Sequence, residues 1–190
     1  HFKHVNPNSK TAPVYRATRD REISTEIYDR FPVLVDRSSG DEVKAWPVKY
    51  VRMYDMANSS DQFRTAKELQ EKEGAWPESG GVWGSSQGTW VPLYEGKMVQ
   101  MYDHRAANVV VNAENLHRPA QQEATTAQQH ADLGFVPTPQ FWVTVDEVAK
   151  QYGGGWVLAF KEITAPTNMR SMIACIAPGY GFGNKLPLWL

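Results

Sequence analysis

The 190-residue chain is short of several things, and each shortage narrows what it can do. It has one cysteine, Cys175, so a disulfide framework and a cysteine zinc site are both closed to it. That cysteine lies inside the apolar run "MIACIA", where a buried inert thiol is expected, and such sparing use of cysteine fits a reducing cytoplasm. No apolar run approaches the roughly 20 residues of a membrane-spanning helix, so no membrane partner is expected. His1, Phe2, Lys3 and His4 are not followed by the apolar core of a secretory signal. A Walker "GK[ST]" and a Pro-Pro pair are both missing. Excess charge of one sign is missing too: the formal net charge is −1. Its distribution is uneven. Residues 1–52 hold ten Lys/Arg against seven Asp/Glu, residues 53–150 seven against thirteen, and residues 151–190 three against one. An acidic middle repels a polyanion that the two ends would tolerate.

What is present reads as a soluble α+β chain with mixed, largely antiparallel sheets and short flanking helices. "NPNSKTAP" predicts an ordered loop. Ile23, Ile27 and Phe31 give "REISTEIYDRF" one apolar face, with Thr18 or Asp20 as its cap and Pro32 as its stop. "VLV" predicts a short strand and "SSGDE" a turn. "PVKYVRMYDM" alternates, with Val48, Tyr50, Arg52 and Tyr54 on one face of a strand. "NSSDQF" opens a helical turn, and Thr65 with Glu68 forms a capping box for "TAKELQEKEG", which Gly74 closes. A hairpin is expected from Gly80 to Val91 around "SSQG". "RPAQQEATTAQQHADLG" has the composition of a surface helix or linker. "QFWVT" predicts a strand, and "TVDEVAKQYGG" a helix capped by Thr144 with Glu147 at the box position. "GWVLAFKEI" and "RSMIACIAP" are expected as the last two strands, joined by "TAPTNM". This divides the chain into residues 1–112, a segment 113–135, and a final part 136–190 ending at "LPLWL". The absence of an initiator methionine and this apolar ending suggest a piece of a longer protein.

Three patterns invite a chemical reading. "PGYGFGNK" resembles a cofactor loop, but a phosphate-binding loop leads into a helix, and Pro187 follows within four residues of Gly183. Its spacing is G-x-G-x-G rather than G-x-G-x-x-G. Glycines supplying positive φ in a hairpin-like loop, with Tyr180 and Phe182 packing, are expected instead. "LYEGK" ends an apolar stretch in Glu-x-Lys. With the earlier Asp55, the trio Asp55, Glu95 and Lys97 matches the residue types of a metal-dependent nuclease, where carboxylates hold Mg²⁺ and lysine helps activate water. "YDHR" places Asp103, His104 and Arg105 together, yet neighbours on a strand face opposite ways. The histidines at 1, 4, 117 and 130 have no zinc-ligand spacing with His104. A structural histidine is therefore expected.

The segment "EITAPTNMRSMIACIAPGYGFGNK" is rich in side chains suited to a nucleic acid. Arginine reads guanine edges, asparagine reads adenine, and both grip phosphate. The same residue types also occur as ordinary turn residues. Several phrases here, "VNPNSKTAPVYRATRDREISTEIY", "VRMYDMANSSDQFRT", "VPLYEGKMVQMYDHR", "FWVTVDEV" and "WVLAFKEITAPTNMRSMIACIAPGYGFGNKLPL", together resemble the region after the catalytic domain of large adenine-specific DNA methyltransferases of restriction-modification systems, including type IIG-like enzymes. The resemblance runs along nearly the whole chain in order and is weakest around residues 113–135. It implies the TaqI-like specificity region, a target recognition domain that reads double-stranded DNA and presents adenine to an upstream methyltransferase domain. The family's Asn/Asp-Pro-Pro-aromatic motif is missing, and "NPN" at Asn6–Asn8 is not that motif. The resemblance thus implies no catalytic residue, no metal and no cofactor in this chain, with S-adenosylmethionine bound elsewhere in a parent adenine-specific DNA methyltransferase, alone or fused to an endonuclease. Tyr94–Lys97 matches the family's junction into the recognition part, and "NMRSMIACIAP" with Gly183 and Asn184 matches its core strand and loop. Met169 stands where the family often has an acid. The expected DNA contacts are Asn168, Arg170, Tyr180, Asn184 and Lys185, with Lys97 and Arg105 on the phosphate side. The alternatives are the nuclease trio or an interdomain scaffold that never touches bases.

Overall fold

The computed structural model describes residues 6–112, 120–153 and 155–190, so His1, His4 and His117 and part of the 113–135 segment lie outside the described residues. The chain forms two compact units, His1–Val48 and Lys49–Leu190. Among the described residues there are four α-helices and thirteen short strands, paired mostly antiparallel. The α+β class and its short helices follow from the sequence reading.

In the first unit, helix α1 spans Thr18–Arg30. Ala17 is its N-cap, and the Asp20 carboxylate accepts from the Ala17 N–H at 3.2 Å, so Asp20 caps from the third helical position. The expected apolar face is not a core face: Ile23, Ile27 and Phe31 are all exposed. Strands β1 (Val35–Asp36) and β2 (Val43–Lys44) form a hairpin. The "NPN" sequence has a structural job there. Asn8 donates its amide to Val35 O at 2.8 Å and accepts from Arg37 N–H at 2.6 Å, so one side chain clamps both sides of β1.

Among the described residues the second unit carries three sheets. Strands β3 (Tyr50–Val51), β10 (Trp156–Phe160), β11 (Ala174–Pro178) and β13 (Leu188–Trp189) form one, in the order β11-β10-β13-β3. A five-stranded sheet holds β4 (Trp76–Pro77), β5 (Trp83–Ser85), β6 (Gly88–Tyr94), β9 (Trp142–Thr144) and β12 (Gly181–Phe182). Strands β7 (Ala107–Val110) and β8 (Gln121–Ala124) pair as a ribbon. Helices α2 (Ala66–Glu71), α3 (Ala127–Ala131) and α4 (Val145–Gln151) are each one or two turns long. Each is capped by a threonine, Thr65, Thr126 and Thr144, whose hydroxyl accepts from a backbone N–H three residues on.

Four expectations change. The predicted strand at Pro47–Met56 is only Tyr50–Val51, because Met53 and Tyr54 are both buried and period-two alternation ends there. Gln121–Ala124 is a strand rather than helix or linker, since β7 offers its edge to a segment with few apolar anchors. β10 and β11 are not the last strands: β12 and β13 follow, made from the glycine run and "PLWL". The glycines of that run also act differently from the expectation. Gly181 and Gly183 do not have positive φ. Strand β12 lies parallel against β6, Gly181 opposite Leu93, and a Cβ on Gly181 would stand 2.5 Å from Val143 Cγ2 and 3.2 Å from Leu93 Cδ1. Glycine is needed for close approach. Around it, Tyr54, Leu93, Tyr94, Val143, Phe182 and Leu188 form the buried core.

Candidate nucleic-acid interface

The polar segment identified in the sequence becomes a loop between two paired strands. Phe160 pairs with Ala174, and Lys161 N–H donates to Ile173 O at 2.9 Å. Beyond that rung the chain leaves the sheet. A turn closes from Asn168 N–H to Ala165 O at 3.0 Å, and the Thr164 hydroxyl donates to Ser171 O at 3.2 Å. These two bonds hold Asn168, Met169 and Arg170 out in solvent, all exposed. Neither the Arg170 guanidinium nor the Asn168 amide has a side-chain partner among the described residues.

Asn184, Lys185 and Lys97 have side-chain partners of their own. Asn184 donates to Asp55 Oδ2 at 3.1 Å. The opposite oxygen of Asp55 accepts from Asn58 N–H at 2.9 Å and Ala57 N–H at 3.0 Å. These amides, that of Asn58 foremost, hold the Asp55 carboxyl below its usual range. Lys185 pairs with Glu162 at 2.9 Å, and Glu162 also pairs with Arg52. Lys97 sits 3.0 Å from Glu95 Oε2 and donates to Ala120 O at 3.1 Å. Lys97 and Lys185 line a common cleft of about 460 Å³, together with Glu95, Met56, Ile163 and Lys161. Gly96 lets its two rims meet, because a Cβ there would lie 3.0 Å from Lys185 O.

Lys161 is the residue that the sequence reading missed, and its register could have revealed it. Val157 and Ala159 are buried on the inner face of β10, and Lys161 continues their alternation. A lysine at an inward position is unusual. It is half-buried, and burial lowers its ammonium pKa from the ordinary lysine value.

Two candidates are built into the framework. The Tyr180 hydroxyl donates to Gly80 O at 2.9 Å, its ring lies beside that of Tyr94, and its carbonyl accepts from the Tyr152 hydroxyl at 2.8 Å. The Arg105 guanidinium donates to the carbonyls of His130, Asp132 and Phe135, closing the C-terminal end of α3. Nearby, His130 Nε2 is 2.7 Å from Thr125 Oγ1 and 3.5 Å from Asp103 Oδ2. A nucleophile relay needs hydroxyl and carboxylate on opposite ring nitrogens; here both face Nε2. His104 is half-buried, and burial followed by Arg105 keeps its pKa low.

Of the nuclease trio, Glu95 and Lys97 line the cleft and Asp55 does not. Glu95 Oε1 is shut away from solvent without a partner among the described residues. Among the described residues, no three His, Cys, Asp or Glu side chains come together as a metal-holding group. No helix among them is long and apolar enough to cross a membrane. Compared with protein-family models, with curated proteins and with solved structures, the chain finds no match.

Proposed function

We propose that this chain is a DNA-recognition module, not catalytic by itself, of a cytoplasmic modification or restriction-modification enzyme. On this reading it works beside a methyltransferase domain that supplies S-adenosylmethionine chemistry. The observation that carries the reading is the loop between β10 and β11, which projects the side chains of Asn168 and Arg170 into solvent with no partner for them among the described residues. Unpaired donors on a hydrogen-bonded turn suit base edges in a groove, since arginine is bidentate to guanine and asparagine to adenine. On this reading Lys185 and Lys97 would serve backbone phosphates, and the charge distribution agrees, since residues 151–190 hold three basic groups against one acidic group. The sequence resemblance to target recognition regions points the same way.

The test is fluorescence anisotropy of a labelled pool of random-sequence duplexes at low salt. The chain is expected to bind, and Arg170→Ala to weaken binding by about 5- to 100-fold, in the range of one bidentate base contact. Asn168→Ala is expected to weaken it less. Unchanged affinity in both variants would favour a scaffold that never touches bases. Mg²⁺-dependent cutting of plasmid, abolished by Glu95→Ala, would favour the nuclease instead.

A further inference from the structure

The cleft that Lys97 and Lys185 line has a chemistry of its own. Three lysines reach it from separate parts of the chain: Lys97 from the turn after β6, Lys161 from the end of β10, and Lys185 from the loop before β13. Two of the three are already paired, Lys97 with Glu95 and Lys185 with Glu162. Lys161 is not: among the described residues its ammonium has no carboxylate and no hydrogen-bond acceptor. A half-buried cation without a counter-ion carries a desolvation cost that an incoming anion would relieve. Glu162 already serves both Lys185 and Arg52, and Glu95, which also lines the cleft, gives one oxygen to Lys97 and keeps the other shut away from solvent, so among the described residues neither acid pairs with Lys161.

Met56 and Ile163 add apolar lining to the cleft, and a Cβ on Gly183 would stand 2.9 Å from Met56 Sδ, so glycine keeps the methionine in place. A thioether and a branched alkyl chain are good partners for a flat ring. At about 460 Å³ the cleft is much larger than an inorganic anion needs and falls in the size range of small-ligand sites.

We infer that this cleft binds a nucleotide, its phosphate on Lys161 between Lys97 and Lys185, its base against Met56 and Ile163. The inference rests on the DNA reading in so far as that nucleotide belongs to a DNA strand; a free nucleotide offers the same chemistry.

The experiment titrates the 190-residue chain with three probes: the random-sequence duplex pool, deoxyadenosine 5′-monophosphate, and deoxyadenosine without its phosphate. Each is repeated with Lys161→Gln and with the charge-preserving Lys161→Arg, whose thermal melts report folding. The expected result is that Lys161→Gln weakens duplex and monophosphate binding about 5- to 10-fold and lowers the salt slope of duplex binding by about one ion. Lys161→Arg restores both, and deoxyadenosine binds far more weakly than its monophosphate. Monophosphate binding lost in Lys161→Gln, with no duplex binding at all, would keep the cleft as a free-nucleotide site and overturn the DNA reading. Duplex binding weakened by Arg170→Ala but untouched by Lys161→Gln would overturn the cleft and keep the DNA reading. Equal binding of deoxyadenosine and its monophosphate, or no binding of any probe, would overturn the cleft.

Discussion

Gly181 is where a sequence signal and its structural meaning separate most clearly. Alternating glycines after an apolar run suggest a loop that wraps a phosphate, yet Gly181 lies in a strand, with no room for a side chain against Val143 and Leu93. Gly181→Ala is therefore expected to destabilise the chain by about 1–3 kcal/mol, the usual cost of overpacking, read as a lower denaturation midpoint. Its neighbour Phe182 is fully buried in the core, and Phe182→Ala should cost about 3–5 kcal/mol. Cys175 fits the inert-thiol expectation: burial raises its pKa to about 11, so a thiol reagent should label it far more slowly in the native chain than in denaturant. Lys161 was legible only through register, because its type and neighbours look like an ordinary strand end.

Short elements with explicit caps were the most readable part of the fold. Thr65 and Glu68 form the expected box: the hydroxyl accepts from Glu68 N–H at 3.3 Å and the carboxylate accepts from Thr65 N–H at 3.0 Å. Thr65→Ala should cost about 1 kcal/mol. Lys72 first, then the Thr65 amide, lowers the Glu68 pKa from 4.5 to about 2. A carboxyl depressed on folding contributes stability that is present above its unfolded value and lost as pH falls through its folded one. Denaturant unfolding between pH 4.5 and about 2 should therefore show a stability loss that Glu68→Gln flattens. The hairpin from β5 to β6 was equally plain, since a two-residue connection between apolar strands admits few alternatives. Elements without local signals were not legible. Gln121–Ala124 has no apolar alternation and becomes a strand only because β7 needs a partner. β12 and β13 are two residues each, set by distant pairing with β6, β10 and β3. Local propensity says nothing about such contacts.

At the scale of the molecule, the second unit presents surfaces of different charge. A hollow of about 670 Å³ beside α4 is lined by Glu73, Asp146 and Glu147 against Lys150, and it would repel a polyanion. The loop with Arg170 and the lysine cleft offer the opposite field. The candidate site was half legible: Asn168, Arg170, Asn184 and Lys185 could be named from composition, whereas the roles of Tyr180 and Arg105 as framework donors depend on partners 100 and up to 30 residues away. Tyr180→Phe should accordingly lower stability by about 1 kcal/mol while leaving duplex affinity unchanged by anisotropy. The central claim, that this chain meets duplex DNA through the loop between β10 and β11, is tested most directly by amide hydrogen exchange with and without the random-sequence duplex pool at low salt. The account predicts slowed exchange in residues 162–172 and around Lys97 and Lys185, with the acidic hollow unaffected. Slowing confined to the acidic hollow or the first unit, or none anywhere, would contradict it.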